Sequence, residues 1–343
     1  MFAALIAGIA LGALLFCPAG EGAPAAVPEA LSFVPSRKTA EGTEAPLYEE
    51  AAPEMNTVEL ASPLITVSIA GEPVGMELED YVFGVVAGEM PANAEPAALR
   101  AQAVAARTFA ALHMAGRARC KSGAEVCDSP SCCQAYASEE ELRERWGAAF
   151  GENAAKLRAA VEDTRGLVAV YDGELISALY HASSGPATES SEEVFACALP
   201  YLVSVSSCEG EHEVVTRQEF SAREVVERIN AAYPEANMSL PLSPFDLDIW
   251  GRSVSGRVQL IRIGETVIPG SALRRVLGLK STGFEVEKNG DTVAFTCLGY
   301  GHGVGMSQTG ANEMAKSGST FEQILKHFYT GTELARIRYA DGG

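Results

Sequence analysis

The sequence predicts an α+β fold of mixed helices and antiparallel hairpins, and three observations carry that prediction. Apolar residues recur at helical spacing in the first third of the chain. Short β-branched runs are joined by Asp172-Gly173 and Asn289-Gly290. Helix-opening Ser-x-x-Glu signals fall among these runs without strict strand–helix alternation.

Taken in order, Leu64-Ile65-Thr66-Val67-Ser68-Ile69 is short and β-branched, and predicts a strand at the start of a globule over residues 63–340. Leu78, Val82 and Val85/Val86 then recur at i, i+4 and i+7/i+8, the apolar face of a helix. Pro91 ends that helix because it disfavours helical φ/ψ at Met90. A second helix fits Pro96 to about Met114, with Pro96 at its first position and Gly116 as C-terminal cap. Ser138-Glu139-Glu140-Glu141 and Ser221-Ala222-Arg223-Glu224 match the capping box and open further helices. Leu167–Tyr171 and Glu174–His181 flank Asp172-Gly173, which suits a type I′ turn. Asn289-Gly290 predicts a second hairpin, and residues 256–268 read as strand, turn, strand. No internal repeat is visible.

The 343 residues suffice for about two domains of ~100–200 residues. At 47% hydrophobic and 21% charged, the chain can bury a sizeable core. Its 26 basic and 45 acidic side chains give a net charge of −19, which disfavours nucleic acid as a partner and polybasic attachment to membranes. Composition also excludes collagen, coiled coil and a multi-pass membrane protein.

Met1 to Gly20 has no charged side chain, and a transmembrane helix needs ~20 apolar residues. Residues 1–20 are expected to be an uncleaved single-pass anchor with the bulk of the chain outside the cytoplasm. A cleaved secretory signal is the alternative, with only the α-amino group as n-region charge and a weak site at Ala23-Pro24-Ala25. Residues 18–60 hold eight Glu, two basic residues and six Pro. They read as a disordered stalk, giving a linker over 21–62.

Glu89 falls where one helix stops and the next is about to start. Flanked by Val85, Val86, Ala87 and Met90, it would lose water, and desolvation raises a carboxyl pKa toward general-acid use. A solvated loop acid is the bland alternative. Arg100 and Arg107 lie two turns apart on one helix face, placed to converge on an anion or on sugar hydroxyls, or to form an ordinary surface stripe. Ser183 and Ser184 open a polar loop after a strand, suited to hydroxyl-rich ligands, and no nucleophile elbow is present. Tyr300 to Gly310 is rich in glycine but lacks a phosphate-loop Lys. His302 within it is a candidate second catalytic or substrate-orienting group, or a hydrogen-bonded turn histidine.

Cys120, Cys127, Cys132 and Cys133 fall within fourteen residues. Four thiolates can enclose a structural zinc, although the spacing departs from paired C-x₂₋₄-C. Disulfides are the alternative outside the cytoplasm, but adjacent Cys132 and Cys133 cannot bridge each other without strain. Cys197 and Cys208 could pair, and Cys297 reads as buried.

Several stretches together resemble the family of stage II sporulation protein D and the amidase enhancers. They are Leu78 to Pro91, Leu99 to Thr108, Cys127-Asp128 with Cys133-Gln134-Ala135-Tyr136, Ser183-Ser184-Gly185, Leu199-Pro200-Tyr201-Leu202 and Gly301 to Ala311. The resemblance spans roughly residues 64–338. It implies a membrane-anchored lytic transglycosylase that cuts peptidoglycan glycan strands during engulfment of the forespore, from the mother-cell membrane. It also implies stage II sporulation proteins P and M as partners, P being an amidase that strips stem peptides. The family's catalytic glutamate falls on Glu89, and Arg100 and Arg107 fall on basic positions. The family's zinc loop pairs two Cys with two His; here Cys132 takes one His position and Cys120 lies close to the other.

Under that resemblance, Glu89 protonates the glycosidic oxygen and then takes the proton of the muramyl C6 hydroxyl, closing a 1,6-anhydro ring. A hydrolase would need a second carboxylate, and Glu89 is the only acid that looks buried. Ser183, Ser184, Tyr201, His302 and Gln308 are the expected sugar contacts. Two rival classes remain: a non-catalytic wall-binding module that enhances an amidase, and a zinc-stabilised scaffold.

Overall fold

Local signals set the first elements. In the computed structural model, which describes residues 55–340, Leu78–Glu89 is helix α1 and ends at Pro91, with Met90 extended at φ −119° and ψ 146°. Helix α2 (Pro96–Met114) begins on its proline. Most of its residues are alanine or other small or apolar types, and it is buried on nearly every side. Small side chains let neighbours close around it: α1, α4 (Phe150–Asp163), α8 (Gln308–Lys316) and α9 (Phe321–Phe328) all pack on α2. Helix α3 (Glu139–Trp146) opens on the expected capping box between Ser138 and Glu141. A short α5 (Ser191–Phe195) follows later.

Residues 56–60, expected to be linker, are strand. Asn56–Leu60 is a strand paired in parallel with Glu333–Tyr339, because Val58 and Leu60 face the core and the distant partner supplies the ladder. The sheet continues through Leu167–Tyr171 to Glu174–Leu175. The anchor expected over residues 1–20, and residues 21–54 of the linker expected over 21–62, lie outside the described residues. Among the described residues, no helix is long and apolar enough to cross a membrane.

The hairpin at Asp172-Gly173 forms with φ of +50° and +79°, but its second strand stops at Leu175. The chain then turns away, and Tyr180–His181 pairs in parallel with Met306–Ser307. That short ladder, with bridges Ser183–Tyr300 and Glu189–Val304, brings the polar loop and the glycine-rich loop together.

Residues 215–298 carry a second hydrophobic core, built on α6 (Ala222–Ala232), α7 (Gly270–Leu277) and two three-stranded sheets. Ser221 caps α6 as expected. Val225, Ile261, Leu273, Phe284 and Phe295 fill that core. The hairpin Gly283–Asn289 with Thr292–Leu298 forms in full register.

Candidate active site

Glu89, the last residue of α1, is 5% exposed. Its Oε1 accepts from the Ala135 amide at 2.7 Å, and its Oε2 faces Gln308 Nε2 at 3.4 Å. Two glycines of α1 permit this. A Cβ on Gly88 would stand 2.7 Å from the Ala135 carbonyl oxygen, and one on Gly84 would stand 2.3 Å from the Tyr136 ring. One turn apart on the helix, they let the segment after the cysteine cluster lie flat on α1, where the Ala137 amide also donates to the Gly84 carbonyl.

The surroundings of Glu89 are polar but dry. Gln308, the first residue of α8 behind the Ser307 cap, also approaches Gln102 Oε1 of α2 at 3.4 Å. Gln134 donates to the Tyr180 hydroxyl at 2.7 Å and accepts from the Tyr81 hydroxyl at 3.2 Å. Burial pushes the Glu89 pKa from 4.5 to about 7, while the Ala135 amide, Gln308 and Tyr180 each pull it down by less. An acid half-protonated near neutrality can both give and take a proton.

The other expected contacts do not gather around this acid. Arg100 and Arg107 do share one face of α2, but that face packs on α4. Arg107 is fully buried, pairs with Glu79 (Nε to Oε1 2.9 Å) and donates to the carbonyls of Val161 and Leu167. Arg100 binds Asp163, the last residue of α4, at 2.9 Å. Both are engaged within the fold, Arg107 wholly and Arg100 through a half-exposed ion pair, because spacing gives a shared face but not what covers it. Tyr201 packs against Tyr171, and its hydroxyl accepts from the Ser177 amide.

Ser183, Ser184 and His302 form a second cluster. Successive strand residues point to opposite faces, so Tyr180 acts on Glu89 while His181 turns toward His302, with ring centroids 5.6 Å apart. His181 Nδ1 donates to the Val304 carbonyl and its Nε2 accepts from the Ser184 hydroxyl. His302 Nδ1 accepts from the Val304 amide, and burial together with Arg274 and Arg257 holds its pKa down at about 3. It is therefore a neutral, buried histidine.

Glu89 is also not the only buried acid. Glu189 and Glu209 are 3% and 1% exposed. Glu209 accepts from the Ser183 and Ser307 hydroxyls and the Ser184 amide, and burial raises its pKa. It knots the polar loop to the cap of α8. Neither acid sits in a periodic pattern, so sequence gave no sign of their burial. Gln102 and Tyr180 were missed too, though Gln102 stands out as a polar residue among alanines on the side of α2 opposite Arg100.

The four cysteines converge. Cys127 is placed by a two-residue strand that pairs with Val67 and Ser68, and the Cys132 and Cys133 amides turn back on the Ser129 carbonyl. All four thiols are free, and their Sγ atoms lie within 4.8 Å of one another. Cys120 to Cys132 is 3.7 Å and Cys132 to Cys133 is 4.0 Å. Zn–S bonds of about 2.3 Å in a tetrahedron require S–S edges of about 3.8 Å, so this donor set fits a zinc ion. Cys208 also keeps a free thiol, so it does not pair with Cys197; Cys297 is buried as expected.

Fold and site together define an α+β protein with a buried carboxyl of raised pKa, Glu89, close in sequence and space to a four-thiol cluster. A family profile described as stage II sporulation protein matches residues 73–171, which hold Glu89 and all four cysteines. Stage II sporulation protein D of Bacillus subtilis (strain 168) is 36% identical over 75% of this chain and 74% of its own length. An uncharacterised protein of Brachyspira hyodysenteriae is 32% identical over 76% of this chain and 67% of its own length. The amidase enhancer of Bacillus subtilis is 28% identical over 73% of this chain and 40% of its own length. The chain belongs to the stage II sporulation protein D family.

Proposed function

We propose that the protein is a lytic transglycosylase acting on peptidoglycan glycan strands during sporulation, with Glu89 as its single acid and base. The observation that carries this is the burial of Glu89, with its pKa raised to about 7, in a chain related to a stage II sporulation protein. Protonated Glu89 gives its proton to the oxygen linking N-acetylmuramic acid to N-acetylglucosamine, and the C1–O bond breaks as an oxocarbenium-like centre develops. The N-acetylglucosamine end leaves with a free 4-hydroxyl. The muramyl C6 oxygen then attacks C1, and Glu89 carboxylate takes its proton, returning to the acid form. Gln308 and Tyr180 hold the carboxyl in place through both steps.

Glu189 and Glu209 do not supply the second carboxylate of a hydrolase in this scheme, because serine hydroxyls and loop amides already occupy their oxygens. Cys120, Cys127, Cys132 and Cys133 would hold a structural zinc, which fixes the loop that carries Ala135. The likeness to an amidase enhancer favours a second reading, a non-catalytic module that acts through an amidase. Digestion of glycan, with and without stem peptides, followed by mass spectrometry separates the two. Anhydro ends that vanish in Glu89→Gln support the transglycosylase; reducing ends mean hydrolysis, and no products with retained amidase stimulation mean the enhancer.

A further inference from the structure

Where the second core meets the first, a cavity of about 310 Å³ is lined by Glu189, Arg257, Gln259, Arg274 and His302 among others. It belongs to the His181 side of the short strand, away from the groups that hold Glu89.

Arg257 is 3% exposed. One guanidinium nitrogen donates to the Ser184 carbonyl at 2.9 Å and another reaches Thr282 Oγ1 at 3.5 Å, while Nε has no partner. Glu189 and Glu209 act on it only at longer range, since the Glu189 carboxylate accepts from the Ser253 and Ser255 hydroxyls and Glu209 from the Ser183 and Ser307 hydroxyls. Gly303 makes room for this cation: a Cβ there would stand 2.4 Å from Arg257 Cζ. Arg274 lines the same cavity, and its Nε is used on the Leu279 carbonyl. Burial lowers the pKa of both, and Arg257, at about 10, stays charged at neutral pH. A buried Arg257 with an unpartnered Nε and a half-buried Arg274 that repels it favour an anion between them.

We propose that this cavity binds a free carboxylate of the ligand, held by the planar donors of Arg257 and Arg274. A guanidinium matches the two oxygens of a carboxylate. Glu189 in the same wall, with Glu193 bonded to Gln259, repels a phosphate dianion more than a carboxylate monoanion. The volume suits a monosaccharide or a short peptide end. If the substrate is peptidoglycan, as proposed above, two sources share this chemistry: the lactyl group of N-acetylmuramic acid and the C-terminus of a stem peptide. The choice of probes rests on that reading; the cavity does not.

The test is titration of the full chain with N-acetylmuramic acid, N-acetyl-D-alanine, N-acetylglucosamine and inorganic phosphate, read by NMR on the His302 ring. The chain has five histidines, so His302→Gln assigns the signal. A saturable shift with N-acetylmuramic acid marks the sugar source and one with N-acetyl-D-alanine the peptide source; either supports the proposal. Arg274→Gln and Arg257→Gln, each checked for an unchanged melt, should weaken binding about tenfold or more. Glu89→Gln should bind as the parent does even if glycan cleavage is lost, which separates this site from the chemistry at Glu89. The proposal is overturned if neither carboxylate shifts His302, if N-acetylglucosamine or phosphate does so at lower concentration, or if well-folded Arg274→Gln binds unchanged.

Discussion

The Ala135 amide donates to Glu89 Oε1 at 2.7 Å, and Ala135 follows Cys133 by two residues. The thiol cluster thus lies two residues from a donor that stabilises the charged form of the acid. Elemental analysis of the purified protein is expected to give one zinc per chain. Cys133→Ser should lose the metal, and the loosened amide should let the Glu89 pKa rise by about one unit, moving the alkaline limb of the pH–rate profile upward. A metal-free variant with an unmoved limb would show that the loop holds Ala135 unaided.

Glu89 also predicts a stability signature. Its folded pKa of about 7 stands above its ordinary 4.5, so the stability it contributes is complete below about pH 4.5 and is lost as pH rises through 7. Between those values the parent should lose on the order of 3 kcal/mol relative to Glu89→Gln. Denaturant unfolding of both proteins from pH 4 to 8 measures this. Parallel curves would place the acid in water.

Arg107→Ala leaves Glu79 without its cation in a nearly dry place. Breaking a buried pair costs about 3–5 kcal/mol, so the melting temperature should fall by several degrees while cleavage survives at permissive temperature. An unchanged melt with weakened glycan binding would return Arg107 to the substrate.

Gly88→Ala drives a methyl into the Ala135 carbonyl, a backbone group that cannot swing aside. A cost of about 1–3 kcal/mol is expected from overpacking. Displacement of the Ala135 amide should slow glycan cleavage more than the same stability loss introduced at Gly71, which has open space around its Cβ position. Equal losses would mean that the amide is not needed.

How much was legible follows the range of each signal. Pro91, Pro96 and the Ser138–Glu141 box act within a turn, and α1, α2 and α3 start or end where they direct. Glu89 was legible because the apolar residues around it lie on its own helix. The partners of Arg100 and Arg107 were not legible because α4, not their own spacing, determines what their face meets. Glu209 was invisible, since the hydroxyls and amides it binds come from segments 25 and 98 residues away. The strand Asn56–Leu60 was hidden likewise, its partner lying at the opposite end of the chain.

Tyr180 and His181 form the whole of one strand, with one side chain given to the acid and its neighbour to His302, a wall of the arginine-lined cavity. They share a peptide bond, so neither can slide along the ladder with Met306–Ser307 without dragging the other. The surroundings of Glu89 and of the arginine-lined cavity thereby meet in a single dipeptide.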